Sequence, residues 1–486
     1  MFFLKKFRLL PCFFCLIFFG QATLAEPQNL PEIGDSASRY LSIIEEQQFG
    51  DKIIRQLRAQ APFFNDPLSV EYIKSIGFRL VAQNPNALDR QFDFFILKEG
   101  SINAFALPGG YIAMHTGLIL KADTEDEIAG VLGHEIAHVT QRHLARRYER
   151  AQQLSIPTLL GVLVSVIAAT QSPQAGMAGM AAITAGSQQI LTNYTRSNEA
   201  EADRVGIITL EDAGFDPKGM TGFFEKLVKE FRNYPKPPEF LLTHPISERR
   251  LAEARDKILS LKPVTPGPQS SFKIFKERIR ALSADESSVL EDNWYQSRID
   301  EVTGDQKAAY QHGYALWLSN HQQSNKALQI AYALYQANPK SIEQSLLLGE
   351  TLNKTKQYDE AIIHLKKSLL ETPLNYPLTL ELAKTELNAN NNQEALDLLL
   401  PLVYQHPDDA YLFEMLAKTQ SKLGQMDEAH ESQGQFLWAM GKLDSALQQF
   451  RIAINGRSTD PYFNTRVRAR IGAIEQEILE IRGMQK

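Results

Sequence analysis

Thr124-Glu-Asp-Glu-Ile-Ala-Gly-Val-Leu-Gly-His-Glu-Ile-Ala-His138 is the stretch from which the rest of this chain is read. Thr124 with Glu127 makes a capping box, and Ile128, Val131 and Leu132 follow at the apolar spacing of a helix, so a buried helix starts here. Four residues advance about 400° at 3.6 residues per turn, which stacks His134 and His138 on one face. Two ligands of a tetrahedral metal are thereby preset. Glu135 lies about 100° further round, in place to take a proton from water held by that metal, while Ile136 and Ala137 let the helix be buried. The plain alternative is a chance pentapeptide whose histidines pack or face solvent.

A catalytic zinc takes three protein ligands and keeps a fourth position for water. Metzincins supply the third as a His six residues past the second motif His, after a Gly at the third. Here those positions are Leu144 and Gln141, which excludes that class. His143 is expected to be a solvated helix residue. The alternative is a carboxylate from a second helix, and Arg196-Ser-Asn-Glu-Ala-Glu-Ala-Asp203 places Glu199 and Asp203 at i and i+4 on one face. Glu199 is positioned to ligate and Asp203 to steady the ligand shell.

His134, Glu135, His138 and the Glu199-x-x-x-Asp203 spacing resemble the prenyl-protease-like zinc metallopeptidases, and Asn103-Ala-Phe-Ala-Leu-Pro-Gly-Gly-Tyr-Ile112 is similar to the segment before the zinc helix in that family. The resemblance implies one zinc per chain, Glu199 rather than Glu201 as third ligand, Glu135 as general base and Asp203 as the acidic residue beside the site. From the residues themselves, the upstream segment reads as a strand, a turn at Pro108-Gly109-Gly110 and a second apolar run through Tyr111, Ile112 and Met114. Its edge is either a place where extended substrate pairs or an ordinary hairpin. In the implied chemistry zinc polarises the scissile carbonyl and lowers the pKa of its water to about 7, and Glu135 moves the proton to the leaving amine.

His244, in Leu241-Leu-Thr-His-Pro-Ile246, follows Pro235, Pro237 and Pro238, where the chain is not expected to be helical. A fourth protein ligand closes a zinc site. His244 in that position would make the enzyme latent until displaced; an oxyanion donor or a structural loop histidine are the other readings.

Lys5, Lys6 and Arg8, an apolar run from Leu9 to Phe19 and Ala22-Thr-Leu-Ala25 form a signal peptide cleaved near Ala25. Cys12 and Cys15 fall inside it, so the exported chain has no cysteine, which fits a bacterial periplasm. Losing the three leader cations makes a chain of net charge -6 more acidic still, a poor nucleic-acid binder. Residues 151–195 carry no charge. They read as a buried helical hairpin, or as a surface that makes peripheral membrane contact or meets unfolded apolar substrate.

Lys262-Pro-Val-Thr-Pro-Gly-Pro268 reads as a linker, and beyond it the chain becomes periodic. Ala327, Ala361, Ala395 and Ala429 stand 34 residues apart, Pro339, Pro373 and Pro407 share the interval, and Ala315, Gly349, Ala383 and Ala417 keep the register. These resemble tetratricopeptide repeats, whose stacked helix pairs form a concave partner-binding face. Gly441-Lys-Leu-Asp-Ser-Ala446 resembles a repeat turn that comes early, as in an irregular last unit or cap.

The predicted fold is mainly α. A leader (1–25) precedes an α+β zinc metallopeptidase domain with a small sheet (26–261), a linker with leading helices (262–305) and an α-helical tetratricopeptide-repeat solenoid (306–486). That combination resembles the periplasmic proteases of Gram-negative bacteria that enhance beta-barrel assembly. The resemblance implies outer-membrane beta-barrel proteins as clients or substrates, docking on the barrel assembly machinery through the repeat groove, and a chaperone-like activity that needs no cleavage. The rival is a docking scaffold with a structural or dormant zinc site, against which the intact Glu135 argues, since a structural site needs no such carboxylate.

Overall fold

A computed structural model describes residues 41–151, 196–235, 237–283, 292–407, 409–456 and 461–484. The predicted leader and the hairpin within residues 152–195 lie outside the described residues.

The first half is built on a helix. α1 (Ile43–Gln60) and α2 (Pro67–Val81) precede a three-stranded sheet of β1 (Asp93–Leu97), β2 (Ala104–Ala106) and β3 (Tyr111–His115), with the tight turn at Pro108–Gly110 between β2 and β3. The strand order is β1-β3-β2, β1 parallel and β2 antiparallel to β3, so β2 is an outer strand. Side chains alternate across the sheet. Phe94, Ile96, Ile112 and Met114 enter the main core with α2, whereas Phe95, Leu97 and Ala113 pack against Phe49, Ile53 and Leu57 of α1.

After a short α3 (Thr116–Lys121), α4 (Glu125–Thr140) runs through the core with Ile128, Val131 and Ile136 all fully buried. Its cap is half of the predicted box. The Thr124 hydroxyl accepts from the Glu127 amide at 3.3 Å, but the Glu127 carboxylate turns to the Asp123 amide and to Lys226. α5 (His143–Ala151), α6 (Arg196–Asp212), α7 (Lys218–Phe231), α8 (Glu239–Thr243) and α9 (Glu248–Leu259) complete this half. Two close approaches set the frame. A Cβ on Gly130 would fall 2.6 Å from the Met220 backbone of α7, and one on Gly206 would fall 3.1 Å from Gly133, so α4 meets α6 and α7 almost backbone to backbone.

α10 (Ser270–Ser283) follows the Pro-rich stretch and sends Phe272, Phe275 and Ile279 into the same core. α11 (Asp292–Glu301) leads into helix pairs: α12 (Gly304–Asn320) with α13 (Ser324–Ala337), α14 (Ile342–Lys354) with α15 (Tyr358–Glu371), α16 (Tyr376–Asn388) with α17 (Asn392–Gln405), and α18 (Ala410–Lys422) with α19 (Met426–Ala439). The periodic alanines are buried near the start of each second helix, and Gly349 admits Leu365, whose Cδ2 would lie 2.6 Å from an added Cβ. Pro339, Pro373 and Pro407 each stand two residues past the end of a second helix.

A further period appears in the backbone. The turn inside each pair carries one left-handed residue, Gln322, Lys356, Asn390 and Gly424, with φ from 61° to 76°. Gly441, also left-handed, opens the last pair of α20 (Leu443–Ile454) and α21 (Pro461–Met484).

The repeats close on the first half. Arg278 of α10, 1% exposed, donates to Asp66 at the start of α2 (2.9 Å from Nε) and to both oxygens of Glu350 on α14 (2.9 and 3.1 Å), with His312 of α12 at 3.2 Å. On the other side Arg55 of α1 reaches Glu477 of α21 at 3.0 Å, and Trp438 donates to that carboxylate at 3.1 Å. Between these contacts lies a cavity of about 480 Å³ lined by Phe63, Phe78, Tyr376 and Tyr411.

Candidate metal centre

α4 presents His134 and His138 one turn apart, both buried, their Nε2 atoms 3.0 Å from each other. α6 crosses α4 at Gly206, which brings Glu199 over the same two rings: its oxygens lie 3.5 Å from His134 Nε2 and 3.4 Å from His138 Nε2. The third element is α8. Contrary to expectation the segment before His244 is helical, because Pro238 precedes the helix and a proline there interrupts no intrahelical bond. The buried Phe240 anchors α8, its amide donates to the Ile102 carbonyl just before β2, and its ring lies 4.9 Å from the His244 ring. His244 Nδ1 stands 3.3 Å from His134 Nε2 and 3.2 Å from Glu199 Oε1.

One ligand atom from each of His134, His138, Glu199 and His244 therefore lies within 4.8 Å of the other three. A tetrahedral ion with bonds of about 2.0–2.1 Å spaces its ligands about 3.3–3.4 Å apart. Among His134 Nε2, His138 Nε2, His244 Nδ1 and Glu199 Oε1, four of the six separations, 3.0 to 3.4 Å, come close to those edges. Three nitrogens and a carboxylate, donor types that bind zinc, converge, and among the described residues no lysine or arginine stands between them. The donor set fits a metal ion.

Electrostatics agrees. Burial opposes charge on His134, yet the neighbouring carboxylates of Asp203 and Glu199 outweigh it and raise its pKa to about 9. Burial and the neighbouring His134 push His138 far below the usual histidine range, and His244 and His134 hold Glu199 well below the usual carboxylate range despite its burial.

Around it stands an outer layer. Asp203 lies 3.0 Å from His134 Nδ1 and is gripped by both Nε and Nη2 of Arg250 at 2.8 Å, and Arg250 Nη1 also donates to Glu199 at 2.7 Å. Glu135 is fully buried, burial raises its pKa, and neither carboxylate oxygen makes a hydrogen bond of normal geometry among the described residues; His244 Nε2 is 3.4 Å away.

His143 is not solvated. Arg142, left-handed at φ 52° and buried with its guanidinium on Glu46, breaks α4 from α5. On an unbroken helix residue 143 would sit about 140° round from His138. The break swings its ring back to 2.8 Å from His138 Nδ1. Neither this contact nor Arg250 had a signal in the sequence, since both depend on where helices turn and cross.

Comparison with known proteins gives the chain its relatives. Residues 67–258, which hold the whole cluster, match the model of peptidase family M48, and residues 356–419 match a tetratricopeptide repeat. The chain is 36% identical over 457 residues to the beta-barrel assembly-enhancing protease of Escherichia coli (strain K12), covering 92% of this chain and 91% of that protein. It belongs to the family of beta-barrel assembly-enhancing proteases. The protein of the same name from Yersinia pestis is 36% identical over 88% of this chain and 87% of its own length. A mitochondrial metalloendopeptidase, OMA1 of Bos taurus, is 29% identical over 38% of this chain and 36% of its own length. The chain is thus a metalloendopeptidase with a tetratricopeptide-repeat region. No described helix is long and apolar enough to cross a membrane.

Proposed function

We propose that the chain is a zinc endopeptidase of the bacterial periplasm, exported by the leader before Ala25, that cleaves misassembled outer-membrane beta-barrel proteins. One zinc per chain is held by His134, His138 and Glu199, Asp203 orients His134, and Glu135 is the general base. The observation that supports this most is the convergence of four donor atoms within 4.8 Å of one another beside the buried carboxylate of Glu135, which among the described residues forms no hydrogen bond of normal geometry.

When bound, the ion polarises the scissile carbonyl and makes water acidic enough to react near neutral pH. Glu135 takes the proton of the attacking water and delivers it to the departing amine, a role suited to a carboxylate whose pKa burial has raised. β2, an outer strand, lines up an extended substrate by main-chain hydrogen bonds that many sequences can make. Arg250 holds Glu199 and Asp203 in place.

His244 supports a second feature, latency. Its Nδ1 completes the four-donor set and its Nε2 faces Glu135, so the resting arrangement occupies both the open coordination position and the base. A resting enzyme of this kind serves mainly as a chaperone or docking scaffold, its repeats engaging clients or the barrel assembly machinery, until His244 is displaced.

Glu135→Gln should retain stoichiometric zinc by elemental analysis and cut an unfolded protein such as casein about 10²- to 10⁴-fold more slowly. Wild-type cleavage by the zinc-loaded variant, or a wild-type chain purified without chelators that holds no zinc, would refute the reading.

A further inference from the structure

His134 and His138 each have a second ring nitrogen turned away from the donor cluster, and the partner of that nitrogen decides which atom keeps a lone pair for the ion. For His134 the neighbour is Asp203, an acceptor only, whose Oδ1 lies 3.0 Å from Nδ1 though off the ideal hydrogen-bond direction; that charge favours the hydrogen on Nδ1 and the lone pair on Nε2. For His138 the partner is another imidazole. His143 Nδ1, 2.8 Å from His138 Nδ1, is able to donate or to accept, and the pair by itself leaves the tautomer open.

Glu201 closes that choice. Its Oε2 lies 3.1 Å from His143 Nε2 and 3.1 Å from Arg146 Nη1. A carboxylate kept ionised by an arginine accepts only, so His143 Nε2 carries the hydrogen and His143 Nδ1 the lone pair. That lone pair in turn accepts the hydrogen of His138 Nδ1, leaving His138 Nε2 bare toward Glu199 and His134.

We infer that His143 and Glu201 are positioning residues for the metal: together they fix the tautomer and ring plane of His138, as Asp203 and Arg250 do for His134. The left-handed backbone of Arg142 belongs to the device, because it turns His143 back onto the end of α4. Left-handed backbone is unfavourable for a non-glycine residue, and here Arg142 is held in it by the buried ion pair of its guanidinium with Glu46. The relay runs from α4 through α5 to α6, so the helices flanking residues 152–195 are joined by the His143–Glu201 and Arg146–Glu201 contacts behind His138.

This rests on the reading of His138 as a ligand. The test measures the zinc dissociation constant of the full exported chain by competition with a chromophoric chelator, together with the melting temperature of the zinc-free form. His143→Phe should bind zinc 10- to 100-fold more weakly, the range for loss of a partner behind a ligating histidine. Glu201→Leu should weaken binding several-fold, whereas Glu201→Gln, which keeps an acceptor oxygen, should stay near wild type. In ¹⁵N-histidine spectra of the zinc form, His138 should carry its hydrogen on Nδ1, and that signal should shift in His143→Phe. Zinc affinity within twofold of wild type in both His143→Phe and Glu201→Leu would overturn the inference; the second variant carries the test if the first does not fold. A wild-type chain that binds no zinc, or a His138→Ala variant that binds it as well as wild type, would instead overturn the assignment of the ligands.

Discussion

Two buried polar clusters, one at His134 and one at Arg278, solve opposite problems. At Arg278 the chain supplies its own cation: the guanidinium lies between the carboxylates of Asp66 and Glu350, and His312 accepts its remaining hydrogen. Around His134 the inner donors face one another across 3.0 to 3.5 Å, and the guanidinium of Arg250 stands behind the carboxylates of Glu199 and Asp203. A charge-complete cluster locks helices together permanently. A cluster whose centre lacks a cation is completed from outside, and what completes it is exchangeable.

The largest expected effect tests the locked side. Arg278→Met strands the nearly covered carboxylate of Asp66 and the partly buried one of Glu350, and should cost about 3 kcal/mol in denaturant unfolding, while zinc affinity stays unchanged. A zinc affinity that falls with stability would mean the two clusters are one system, and the contrast would fail. Next comes the exchangeable side. If His244 occupies the fourth position about nine-tenths of the time, His244→Ala should raise casein cleavage on the order of tenfold with zinc retained. A fall of 10²-fold or more would make His244 an oxyanion donor instead.

The smallest effect is in pH. His312 donates Nδ1–H to Gln344 and receives from Arg278, and burial and that arginine push its pKa down to about 3. Below its ordinary 6.5 the unfolded chain takes up a proton that the folded chain refuses. Its contribution to stability is therefore full above pH 6.5 and is lost as pH falls toward about 3, amounting to about 1 kcal/mol between pH 6.5 and 5.5. His312→Gln should flatten that part of the stability curve relative to wild type, and an unchanged slope would remove His312 from the lock.

The sequence by itself determined the local and the periodic. A helix with two histidines four apart, a Glu-x-x-x-Asp face, a strand-turn-strand before it and a 34-residue period are all set by spacing along one chain, and spacing along a helix is geometry. It did not show the left-handed residue at each repeat turn, because Gln322, Lys356 and Asn390 carry none of the glycine signal that Gly424 does. Only the tertiary structure decided which residues meet across elements. His143 reaches His138 because the backbone breaks at Arg142, Arg250 reaches Asp203 because α9 folds back over α6, and Arg278 is buried because the repeats curl onto α2. Such contacts depend on crossing angles set by packing around Gly130, Gly133 and Gly206, a property of the assembled core and not of any segment read alone.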